Sequence, residues 1–166
     1  MSKTLLSGLL LLAMGSLAVV FGVKEKKTPP TVSLSSSVSC DAAITACLLS
    51  DGQRLIGLHF PDGARYLKPF DVVVRIGGFD GEKIKKVTIE PGMRGMDMGA
   101  NRFNLHLLDN PQNSGMRFGG KIILPLCISG RNDWQASLRI ETEKTIYESR
   151  FSFHVAKQGV ATELSR

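Results

Sequence analysis

Trp134-Gln135-Ala136-Ser137-Leu138-Arg139-Ile140-Glu141 alternates without a slip, apolar at every even position and polar at every odd one. Only an extended strand, whose successive side chains point to opposite faces, gathers such a set on one side. One face is then buried and the other wet, the habit of antiparallel sheets rather than parallel ones.

The neighbouring stretches repeat the pattern. Downstream, Phe151, Phe153 and Val155 alternate with Ser152 and His154, and Glu143-Lys144 forms a short hairpin connection. Upstream, Ile56, Leu58 and Phe60 precede Pro61-Asp62-Gly63, and Phe70, Val72, Val74 and Ile76 share a face stopped by Gly77-Gly78. Val87 and Ile89 line a strand ended by Pro91-Gly92, and Phe103, Leu105 and Leu107 line another ended by Asp109-Asn110-Pro111. A further strand spans Phe118 to Leu124, where Gly119-Gly120 suggests a bulge or close backbone approach. With no helix-period segment among them, these stretches predict an all-β domain, an antiparallel two-layer sandwich of about seven strands.

Ahead of that domain, Leu5 to Val23 is a nearly unbroken apolar run. As a helix rising 1.5 Å per residue it extends roughly 28 Å, close to the ~30 Å of a hydrocarbon core. A cleaved signal has a shorter apolar core and a small-residue cleavage site, and Phe21-Gly22-Val23-Lys24-Glu25 is a poor one. Residues 1–23 therefore read as an uncleaved transmembrane anchor, with no Cys at its end for lipid attachment. Residues 24–52 read as a polar linker and cysteine-containing lead-in, with Pro29-Pro30 and Ser35-Ser36-Ser37. The β-domain occupies 53–157, and 158–166 reads as a flexible tail.

Flanking charge is indecisive or leans toward a cytoplasmic domain, because Lys3 on one side meets Lys24, Lys26 and Lys27, offset by Glu25, on the other. The short N-terminal tail and the three cysteines favour an exported domain on a single-pass protein of the bacterial inner membrane, facing the oxidising periplasm. The net charge of +6 does not imply nucleic acid. Much of it lies beside the anchor, where it suits anionic headgroups, and no basic stripe with interleaved aromatics exists in the domain. An enzyme is not expected either. Paired carboxylates and a Ser-His-Asp context are missing, and the glycine runs precede no helix that would cradle phosphate.

Cys40, Cys47 and Cys127 form one pair and leave one thiol in any of three ways. A Cys40–Cys47 loop is the most economical, and a bridge to Cys127 would instead tie the lead-in to the sixth strand. No Cys-x-x-Cys redox motif occurs.

The remaining chemical feature is Gly92-Met93-Arg94-Gly95-Met96-Asp97-Met98-Gly99. Methionine usually fills cores at regular spacing, but Met93, Met96 and Met98 crowd a glycine-rich loop. Soft thioethers suit Cu(I), and His106, Met116 or a cysteine would complete the shell. Alternatively the three plug the open end of the sandwich or form an adaptable, metal-free docking surface for a partner. Arg94 and Asp97 count mildly against a cation.

The phrase Val87-Thr88-Ile89-Glu90-Pro91-Gly92-Met93, running into Met96-Asp97-Met98-Gly99, with Leu124-Pro125 and Trp134-Gln135-Ala136 downstream and an anchor before them, resembles the YtkA-like and FixH-like family. The resemblance covers about Arg54 to Val155. It implies an immunoglobulin-like antiparallel β-sandwich behind one N-terminal transmembrane helix. It also implies copper handling, or assembly of a copper-containing respiratory oxidase with a membrane-protein partner. The cysteines at 40, 47 and 127 look like features of a subset of such proteins.

Overall fold

The computed structural model describes residues 28–34, 39–96, 98–99, 101–109, 115–127 and 130–155. The predicted anchor and the tail 158–166 lie outside them. Among the described residues no helix is long and apolar enough to cross a membrane.

The described chain is all-β. Its strands are β1 (Thr31–Leu34), β2 (Cys47–Ser50), β3 (Leu55–His59), β4 (Phe70–Gly77), β5 (Ile84–Gly92), β6 (Phe103–Asp109), β7 (Met116–Ile122), β8 (Asp133–Thr142) and β9 (Ile146–His154). They form one nine-stranded mixed sheet in the order β1-β9-β8-β5-β6-β7-β4-β3-β2. Every pairing is antiparallel except that of β1, which runs parallel to β9.

The sheet thus has nine strands where the sequence predicts about seven. The additional ones, β1 and β2, lie in the segment read as linker and lead-in. Both are short, and β1 buries only Leu34.

The sheet bends back on itself because β6 divides its pairing. Phe103, Asn104 and Leu105 pair with β5, whereas His106, Leu107 and Asp109 pair with β7, with an irregularity between Leu107 and Asp109. Leu107, expected inward with Leu105, is 55% exposed although it stands opposite the buried Phe118, beyond the part of β6 that β5 covers. On the other side Asp41 bridges Ser152 and Ala64 bridges Val155, so the sheet nearly closes.

The core fills the interior with the rows that alternation predicts. Phe70, Val72, Val74 and Ile76 are buried, as are Trp134, Ala136, Leu138 and Ile140. Phe60 meets Phe70 edge-on with centroids 5.4 Å apart and Phe153 at 4.9 Å, and Trp134 stacks on Phe153 at 6.2 Å. Each such side chain contributes roughly 1.5–3 kcal/mol by leaving water.

The Cys40–Cys47 disulfide is present, its Cα atoms 5.7 Å apart. It closes a loop docked on two strands, with Ala42 N–H donating to Ser152 O at 3.1 Å and Phe60 N–H donating to Ala42 O at 2.9 Å. Asp41 pairs with His154 Nδ1 at 2.8 Å from the same loop.

Where β5 begins, Arg54 lies over the rings of Phe79 and Tyr147, 5.6 and 4.7 Å from their centroids. It pairs with Glu82, which also accepts from Tyr147 Oη at 2.7 Å. Burial works to raise the Glu82 pKa, but hydrogen bonds from Tyr147, Arg54 and Thr142 outweigh it and hold the carboxyl below its ordinary range. The methionine loop leaves the opposite end of β5.

Candidate methionine-lined site

Pro91 and Gly92 close β5 against Ala136 and Gln135 of β8. The chain then turns at once, with Met96 N–H donating to Met93 O at 3.2 Å across Arg94-Gly95. Gly95 has φ +75°, a left-handed conformation that costs a side-chain-bearing residue about 1–2 kcal/mol. Glycine at this position lets the turn be tight enough to bring its two flanking methionines side by side, as an isolated antiparallel bridge.

Met93 is only 5% exposed and belongs to the core, while Met96 and Met98 are half-buried against it. All three line one open cavity of about 390 Å³. Its other walls come from the outward face of β5, β8 and β9, through Glu90, Gln135, Ser137 and Arg150. Register explains the meeting, since Glu90 pairs with Ser137, which pairs with Arg150. The site therefore joins a soft thioether side to a polar side.

Charge at the rim is mixed. The Glu90 carboxylate is engaged by Arg102, whose Nε and Nη2 donate to Oε2 at 2.9 and 2.7 Å. Arg150 brings a positive charge that works against a cation. Among the described residues no three His, Cys, Asp or Glu side chains converge as for a metal ion. Thioethers fall outside that set, and the donors here are soft sulfurs, which select Cu(I) over hard cations.

The other predicted ligands separate from this cavity. His106 is exposed on β6 and stands opposite Gly119 of β7, on the far side of the corner that β6 turns. Met116 starts β7 opposite Ile76. Neither lines the methionine cavity. Cys127 is outside the disulfide and 8% exposed in the core.

A support for the methionine turn was not legible in the sequence. Arg131 Nη1 donates to Arg94 O at 3.2 Å, bracing the turn from the β7–β8 connection. Its Nε and Nη2 hold Asp133 at 2.9 and 2.6 Å, and this hydrogen bonding pulls the Asp133 carboxyl down to about 2. The Arg131 carbonyl accepts from Tyr66 Oη at 2.9 Å, and Tyr66 Oη accepts from Trp134 Nε1 at 3.1 Å. The cleanest strand of the fold is thus wired through Tyr66 to the brace. Arg131 and Asp133 stand two apart in the sequence, which by itself signals nothing. The contacts to Arg94 and Tyr66 span long sequence separations that no local pattern announces.

No family model matches this chain, and comparison with characterised proteins and with solved structures gives no match.

Proposed function

We propose that this protein is a copper-handling accessory factor that binds Cu(I) through Met93, Met96 and Met98 and serves the metalation or assembly of a respiratory complex. It does so as an immunoglobulin-like sandwich held in the bacterial periplasm by an inner-membrane anchor at 1–23. The observation that supports the reading is that three methionines line one cavity behind a braced turn. A soft, uncharged donor set on a supported loop suits reversible capture and transfer of Cu(I). The resemblance to the YtkA-like and FixH-like family points the same way, and supplies the membrane-protein partner.

The test is competition for Cu(I) between the full chain in lipid nanodiscs and a chromophoric chelator. Ascorbate keeps the metal reduced and leaves Cys40–Cys47 intact. One-to-one binding lost on changing all three methionines to Leu, with melting unchanged, supports the site. Affinity that survives the triple substitution removes it.

A second reading has its own observation. Arg150 at the rim disfavours a cation, and half-buried methionines make an adaptable docking surface. In that case the triple substitution weakens co-purification of a membrane partner and leaves metal content untouched.

A further inference from the structure

The methionine cavity carries a charge that a bound cation alone does not explain. Arg150 stands exposed on β9, in register with Ser137 of β8 and, beyond it, Glu90 of β5. The carboxylates nearest to it along the sheet are already engaged. Arg102 holds Glu90 at 2.7 Å, and Arg139 holds Glu148 at 2.7 Å. Arg150 itself has no ion pair among the described residues. On the same wall Gln135 and Ser137 add an amide N–H2 and a hydroxyl. One side of the cavity thus donates hydrogen bonds, while the other offers the sulfur lone pairs of three methionines.

Thioethers are neutral, so Cu(I) held by Met93, Met96 and Met98 keeps its full positive charge. Arg150 adds a second, and the Glu90–Arg102 pair offsets neither. A cavity that gathers positive charge and hydrogen-bond donors is built for an anion as well as for a metal. Room for both is present. The cavity measures about 390 Å³, many times the ~30 Å³ of one water, and a Cβ on Gly92 would meet nothing within 4 Å.

We infer, resting on the copper reading above, that this cavity takes Cu(I) together with a soft anion, a halide or a thiolate. The anion bonds to the metal and is held on the polar wall by Arg150, Gln135 and Ser137. Its softness matches a metal that thioethers select, and its charge answers Arg150. It supplies an electron pair to the metal and no electron is transferred, so the copper stays Cu(I). Arg150, which opposes a bare cation, becomes a contact of the metal–anion pair.

The experiment is Cu(I) competition on the full chain in phosphatidylcholine nanodiscs, with ascorbate, in sodium methanesulfonate and sodium bromide at equal ionic strength. Halide binding to free Cu(I) acts on chain and chelator alike and cancels. Bromide raises the affinity about tenfold, the size of one charge-assisted hydrogen bond, and appears beside copper in X-ray absorption. Fluoride, a hard anion, gives no rise. Arg150→Gln moves the two salts in opposite directions. With one positive charge gone, affinity in methanesulfonate rises about threefold, while the bromide gain falls below about twofold. Arg150→Lys keeps the charge and keeps the gain. A parallel arm replaces bromide by stoichiometric N-acetylcysteine, with the Cys40–Cys47 bridge verified by mass. A rise with bromide alone assigns the anion to a free halide, and a rise with the thiolate assigns it to a protein cysteine. Affinity indifferent to both anions, or a gain that survives Arg150→Gln, overturns the inference and leaves the methionine site standing. Absence of Cu(I) binding in every buffer overturns the methionine site and this inference with it.

Discussion

Replacing Tyr66 by Phe deletes one oxygen and breaks two hydrogen bonds, one donated to Arg131 O at 2.9 Å and one accepted from Trp134 Nε1 at 3.1 Å. The two losses differ in size. Trp134 is 1% exposed, so its indole N–H cannot turn to water and is left unsatisfied, a loss of about 1–3 kcal/mol. Arg131 lies nearer the surface, where water replaces the lost donor at a net cost of about 0.5–1 kcal/mol. Together these predict a destabilisation of about 2–3 kcal/mol, dominated by the orphaned indole. At roughly 4 °C per kcal/mol for a domain of this size, melting falls by about 8–12 °C.

The diagnostic measurement is a double-mutant cycle by urea unfolding. Trp134→Phe removes the orphaned donor, so Tyr66→Phe in that background costs less than about 1 kcal/mol. The cycle then shows a coupling of at least about 1 kcal/mol. A single Tyr66→Phe change below about 1 kcal/mol, or additive losses, would refute the assignment of Trp134 Nε1 to Tyr66. The same variant loosens the Arg131 brace, so it also weakens Cu(I) competition.

Cys40→Ser opens a short loop and costs about 2.5 kcal/mol in the chain-entropy account, read as the shift in urea midpoint at constant slope. The Asp133 carboxyl is depressed from 3.8 to about 2, so the stability it brings is present above 3.8 and drains away as pH falls toward 2. Melting across that window flattens in Asp133→Asn, and an unchanged slope would show the Arg131 pair to be absent in solution. Gly78→Ala is severe, at about 3 kcal/mol or more, because its Cβ would lie 1.9 Å from Gln53 O at φ +73°. Gly81→Ala has φ +79° but open space and costs only about 1 kcal/mol; equal losses would place the effect in backbone strain alone.

Legibility in the sequence followed burial. The rows at Phe70–Ile76 and Trp134–Ile140 were readable because each strand has one face in the core and one in water. The first strand was not, since three of its four residues are exposed and its support is a parallel partner more than a hundred residues away. Leu107 defeated the pattern because β6 leaves β5 for β7 just before it, a change of partner that local alternation does not announce. For the site, the methionine trio and its glycine were visible as a loop between strands. His106 was not separable from it, because sequence proximity hides the corner at which β6 leaves β5 for β7. Gly57 and Gly119 were illegible for a different reason: they acquire meaning only beside Leu48 and Leu108, which lie over them.

The parallel seam between β1 and β9 sets a timetable. A ribosome makes Thr31–Leu34 more than a hundred residues before Ile146–Ser149, yet these are partners. Asp41 and Ala64 wait in the same way for Ser152 and Val155. Thr31–Leu34 therefore stays without this partner until β9 has been made. Such long-range closure is slow. Any chain truncated before the last strand leaves the β8 edge and the disulfide loop bare, an open template for self-association. Docking of the first strand is thus open only to chains that already carry β9.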